Sequence, residues 1–255
     1  MNAVKAIAVN TFREAIRNKI LYSLIFFALL MMGGSLVLDQ ATVGQRSKII
    51  KDMGLASINL FGVMIAIVVG IGLVSKEIEK RTIYTLLAKP VHRAQFLIGK
   101  YLGIVLTLGV ETLLMTFFFF LLVWLYEGVI DLVLLKAIFL IFIEISVVAA
   151  VAIFFSTFST PFLSGMFTFS IYVIGHLTED LNRIGSLSGN FALEKLTVFF
   201  YYLLPNLENF NIKGEVVHHL PLLPGKILLS ASYGLLYILF LLLASSAFFQ
   251  RRDFK

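Results

Sequence analysis

The chain has 255 residues, 59% of them hydrophobic and only 14% charged, a balance that excludes an ordinary soluble globular domain. With no cysteine it can form no disulfide, no thiolate metal site and no cysteine nucleophile. A net charge of +6 would suit nucleic-acid binding, but its distribution along the chain assigns it to membrane orientation instead.

Residues 1–19 form an amphipathic segment. Val4, Ile7, Ala8, Phe12 and Ala15 fall on one side of a helix, with Asn10, Arg13 and Arg17 opposite, the pattern of an interfacial helix in the headgroup plane. It serves either as a simple anchor or as a brace that also touches a cytoplasmic partner. The first apolar run begins at Ile20 with no small-residue cleavage site behind it, so no removable leader is expected.

Spans are predicted at 20–38, 56–75, 101–126, 137–157, 162–178 and 227–249, each long enough to cross a hydrocarbon core of about 30 Å. The second contains Ala66-x-x-x-Gly70, a small-residue pair that permits close helix approach. The stretch Ala137–Thr178 is too long for one crossing, and the hydroxyls and proline of Ser156–Pro161 supply the turn that divides it. The segment 179–226 holds an apolar piece, Phe191–Leu204, that ends at Pro205 and is too short to cross. It is expected to form short helices at the outer leaflet, as a lid or as a plug packed on the spans.

Charge counting orients these spans. The N-terminus, the 76–100 loop, the Ser156–Pro161 turn and the C-terminus together hold 13 Lys and Arg against four acids, whereas the other loops hold eight bases and nine acids. That asymmetry places both termini in the cytoplasm and leaves no surplus of positive charge for nucleic acid. The expected fold class is therefore an all-α integral membrane protein with six spans.

Within the 76–100 loop, residues 77–88 favour a helix, with Ile78, Thr82 and Leu86 on one side beside Ile83 and Leu87, and Pro90 as its stop. This short helix either docks into a groove of a soluble partner or lies on the membrane surface. Elsewhere the chain has no HExxH, no GxSxG, no phosphate-binding loop and no paired-carboxylate arrangement, so no catalytic residue, metal site or bound cofactor is expected. His92, His176, His218 and His219 are scattered and are read as surface histidines.

Two carboxylates, Glu111 and Glu144, fall inside predicted spans with no Lys or Arg at comparable depth. An ionised carboxylate there costs about 3 kcal/mol or more, so each is expected to be protonated or hydrogen-bonded to hydroxyls such as Thr107, Thr112 or Ser146. They form either a proton or cation site or a polar helix–helix contact.

The run Glu77-x4-Thr82-x3-Leu86-Leu87-x2-Pro90-Val91-x-Arg93-x2-Phe96-x2-Gly99-Lys100 closely resembles the first cytoplasmic loop of type-2, export-class ABC transporter permeases. Arg81 departs from the pattern, since many members carry glycine before the threonine. The resemblance extends over the whole chain. It implies a cytoplasmic coupling helix that carries Glu77, Thr82, Leu86 and Leu87, with Pro90 and Arg93 fixing its exit. It further implies a second permease chain, two cytoplasmic ABC ATPase subunits that bind ATP and Mg, and residence in a prokaryotic cytoplasmic membrane. An ion-coupled carrier using Glu111 and Glu144, and a scaffold that transports nothing, are the alternatives.

Overall fold

The computed structural model describes residues 3–38, 46–79, 92–187 and 189–251, and among these every regular element is helical. The order is α1 (Ala3–Ile16), α2 (Lys19–Leu38), α3 (Arg46–Glu79), α4 (Arg93–Glu127), α5 (Leu134–Ser156), α6 (Pro161–Leu187), α7 (Phe191–Leu203), a 3₁₀ turn (Leu207–Phe210), α8 (Lys213–Val217) and α9 (Lys226–Arg251). Five of these (α2, α3, α4, α5 and α9) are long and apolar enough to cross a membrane. The 27-residue α6 is long enough, but Ser164, Gly165, Thr168, Ser170, Gly175 and His176 dilute its apolar run.

The helices meet at junctions that local chemistry explains. Asn18 separates α1 from α2 by accepting a hydrogen bond from the Ile20 amide through its side chain, an N-cap to α2. Gly128 ends α4 in the left-handed region (φ 71°), where its amide reaches the Trp124 carbonyl at 2.9 Å. Between Ser156 and Pro161 the chain reverses, and Pro161 occupies the first position of α6, where a missing amide hydrogen costs nothing. Asn190 caps α7, its side chain accepting from the Ala192 amide at 3.0 Å.

The core is built around α5, which is buried over most of its length and packs against α3, α4, α6 and α9. Small residues decide how close the neighbours come. A Cβ on Gly70 would stand 2.8 Å from the Ala152 Cβ, so the Ala66–Gly70 face of α3 rests directly on the Ala149–Ala152 face of α5. In contrast α2 and α9 are buried along one side only and leave Phe26, Phe27, Leu235, Leu236 and Phe240 exposed, as lipid-facing helices do.

Both α3 (34 residues) and α4 (35 residues) outrun the predicted spans 56–75 and 101–126. At 1.5 Å per residue each is about 50 Å long, so both extend well beyond a ~30 Å hydrocarbon core. At its first end α3 takes in polar residues expected to be loop: Lys51 is buried, its Nζ 3.1 Å from Glu127 and 3.8 Å from Asp131, and Ser47 also bonds Glu127. At the other end it continues to Glu79, so Glu77 stands in the last turn of α3 rather than at the start of a separate helix.

Candidate functional site

The most polar buried arrangement in the bundle centres on Glu144, fully buried in the middle of α5. Three helices and the 3₁₀ turn converge on it. From α3, Asn59 donates through Nδ2 to Glu144 Oε2 at 2.9 Å, and the Asn59 carbonyl oxygen accepts from the Tyr172 hydroxyl at 3.1 Å. From α6, His176 sets Nε2 3.0 Å from Glu144 Oε1 and Nδ1 3.2 Å from Glu208 Oε2, while its ring meets Tyr172 edge to face. The other Glu208 oxygen accepts from Asn211 Nδ2 at 2.8 Å.

The outer segment supplies the rest of this shell because it is tied down on several sides. Asn206 caps the 3₁₀ turn by accepting from the Glu208 amide, and its Nδ2 donates to Glu179 on α6. The Asn206 amide donates to the Tyr233 hydroxyl, and Ser230 donates to the Asn209 carbonyl, both on α9. Leu207, Phe210, Ile212, Val216 and Val217 are buried beneath, and an added Cβ at Gly175 would lie 2.8 Å from the Pro205 carbonyl. Lys213, at the start of α8, lies within electrostatic range of both Glu144 and Glu208; burial lowers its pKa and the two carboxylates oppose that shift. Among the described residues, no group of three ligating side chains is arranged to hold a metal ion.

The sequence led us to expect each buried carboxylate to be protonated or bonded to hydroxyls, and His176 to lie at the surface; the hydroxyl partners of Glu144 and the position of His176 are corrected. Thr107 donates to Gly103 O and Ser146 to Phe142 O, each on its own helix, as hydroxyls in apolar helices commonly do. Glu144 instead takes an amide and an imidazole from other helices, and His176 is only 22% exposed at its side chain. A signal was available: Glu144 lies about as far before the Ser156–Pro161 turn as His176 lies after it, so a helical hairpin brings them to one level.

Glu111, on α4, does not join this cluster. It is 4% exposed, and neither carboxyl oxygen has a hydrogen-bond partner among the described residues.

At the opposite end of the molecule the first turns of α4 are clamped on two sides. On one side α1 lies along Gly99 and Gly103: an added Cβ would stand 2.8 Å from Ile7 at the first and 2.6 Å from the Ala8 carbonyl oxygen at the second. This buries Ala8, Thr11 and Ala15 and leaves Asn10, Arg13 and Arg17 exposed. Lys100 is buried here, its Nζ 3.8 Å from Glu14 and over the Phe96 ring. On the other side Arg93 donates to the Phe249 carbonyl at 2.8 Å, at the last turn of α9, and the Phe96 and Phe249 rings stack 6.1 Å apart. A cation suits that position, because the final carbonyls of a helix lack intrahelical donors. Of the expected coupling residues, Thr82, Leu86, Leu87 and Pro90 lie outside the described residues, Glu77 lies in the last turn of α3 and Arg93 opens α4.

No curated protein sequence matches the chain. A family model described as ABC-2 family transporter protein matches residues 5–254. The match covers nearly the whole length of a chain whose described residues include five membrane-length apolar helices: the chain belongs to the ABC-2 transporter family and is a multi-pass membrane permease component of an ABC transporter.

Proposed function

We propose that this permease is an exporter subunit coupled to separate ABC ATPase subunits through its 76–100 loop. It crosses the cytoplasmic membrane of a prokaryote six times, with α6 as the fifth crossing and both termini inside. It pairs with a second permease chain and two ATPase subunits, and ATP and Mg stay on those subunits. The charge asymmetry between the two sets of loops supports the orientation. The export direction rests on the resemblance of the loop to type-2 permeases.

The observation that carries the coupling proposal is the double clamp on α4. Arg93, the first residue of α4, bonds the end of α9, and Gly99 and Gly103 seat α1. A push on residues 80–91 would therefore move α4, α1 and the end of α9 together rather than be lost in a flexible joint. Leu86 and Leu87 are apolar residues in a charged loop, and a docked ATPase subunit would give them a partner to pack against.

The test is the double substitution L86D/L87D in the full chain co-expressed with its ATPase. Burial of a leucine contributes about 1.5–3 kcal/mol, so two charged replacements remove several kcal/mol of docking. The variant is expected to insert normally, to lose the ATPase on purification and to stop moving cargo. Retention of the ATPase at the wild-type level would show that this helix is not the coupling element.

A further inference from the structure

A neutral imidazole has one donor and one acceptor, whereas an ionised carboxylate only accepts. Yet both ring nitrogens of His176 stand within hydrogen-bond distance of a carboxyl oxygen, Glu144 Oε1 at 3.0 Å and Glu208 Oε2 at 3.2 Å. Both contacts can be made only if the trio Glu144, His176 and Glu208 holds one proton more than a neutral histidine with two carboxylates. The count is the same whether that proton sits on the imidazole or is shared with Glu144, as coupled sites require.

We propose that Glu144, His176 and Glu208 form a proton-binding site that latches the outer segment to α5 and α6 when loaded and loosens it when empty. This goes beyond the coupling proposal and does not depend on it. On binding, the proton completes the second N–H···O bond; on release, a ring nitrogen lone pair faces carboxylate lone pairs and the contact becomes repulsive.

The surroundings suit such a site. Glu144 has no exposure and is held from behind by Asn59, itself fixed by Tyr172, so the α5 side of the latch is rigid. Glu208 is 37% exposed on a short turn, so a proton can reach the cluster from outside the bundle. Below the cluster, Val147, Val151, Ile171 and Leu207 close without room for a water molecule. The charged neighbours are Lys213 on α8 and, one turn further along α6, Glu179, which is bound by Asn206. The opposed placement of the two ring nitrogens favours a proton over a metal, since one ion cannot be ligated by both.

The chain has no native cysteine, so single-cysteine reporters are clean. Ile212 and Val216 lie fully buried behind the turn, and I212C is the first reporter, with V216C as the second should I212C fail to fold. The full chain in lipid nanodiscs is labelled with an impermeant thiol reagent from about pH 5.5 to about pH 8.5, around the imidazole range. Each rate is divided by that of the denatured chain at the same pH, which removes the thiol's own ionisation. Linkage to one proton allows the opening equilibrium to change by up to about tenfold per pH unit. The expected result is a corrected rate that climbs by about tenfold or more across the range, with flat profiles in H176Q and in E208Q. A flat profile with His176 and Glu208 intact, or a slope that survives either substitution, overturns the proposal. No ATPase is needed for this readout, so its failure would leave the coupling proposal standing.

Discussion

Gly103→Ala is the smallest change that tests how α1 is held. Its new Cβ would lie 2.6 Å from the Ala8 carbonyl oxygen and 2.5 Å from the Thr11 Cβ, whereas ordinary contact begins near 3.4 Å. A carbonyl has no rotamer to change, so α1 must move away by about 0.8 Å, and the shift spreads along a contact that includes Ile7 on Gly99 and the buried Ala15. Overpacking of this kind costs about 1–3 kcal/mol. At about 3 °C per kcal/mol for a domain of this size, the melting temperature should fall by about 6 °C. A cysteine reporter at Ala15, 1% exposed, should change from protected to reactive in the same background. Gly109→Ala is the control on the same helix, because its Cβ would meet Phe142 at 3.7 Å, an ordinary contact. If Gly103→Ala melts with Gly109→Ala and the reporter at Ala15 stays protected, α1 is not seated on α4 as described.

Three further outcomes are expected. Glu111→Met should raise the melting temperature, because an unsatisfied buried polar group costs about 1–3 kcal/mol and methionine fills nearly the same volume; a loss of stability would show that Glu111 has an essential partner. Impermeant thiol reagents should reach a cysteine at Arg183, an exposed residue, in intact cells, and one at Lys89 or Lys255 only after the membrane is opened; the reverse would invert the topology. Burial raises the Glu215 pKa, but the Lys226 ammonium at 2.6 Å prevails and leaves it below 4.5, so its contribution to stability is present above that value and is lost as pH falls through the folded pKa. Glu215→Gln should accordingly flatten the acid side of a melting-temperature profile, and an unchanged slope would refute the pairing.

Much of the bundle was legible because the membrane makes composition local. An apolar run of about twenty residues with at most one charge is expected to be a helix, since lipid offers no partner for backbone groups, and the runs that became α2, α3, α4, α5 and α9 announce themselves in this way. The Ala66–Gly70 pair was legible for a similar reason, because small residues at one helical spacing have few uses other than close approach. Gly99 and Gly103 form the same pattern at the start of α4 but were masked by the charged loop residues around them.

By itself, then, the sequence determined which segments are apolar helices, where proline, glycine and asparagine end them, and how charge divides between the two sets of loops, because each of these is settled by residues within a few positions of one another. Only the tertiary structure decided which polar side chains meet. Glu144 finds Asn59 85 positions away and His176 32 positions away, and Arg93 reaches Phe249 across 156. Those pairings depend on helix rotation and depth, which are set by the summed packing of many apolar residues and by the small ones that let α3, α5 and α6 approach. A lone histidine in a helix looks the same in sequence whether it faces lipid, water or two carboxylates, and only the packing of its neighbours tells them apart.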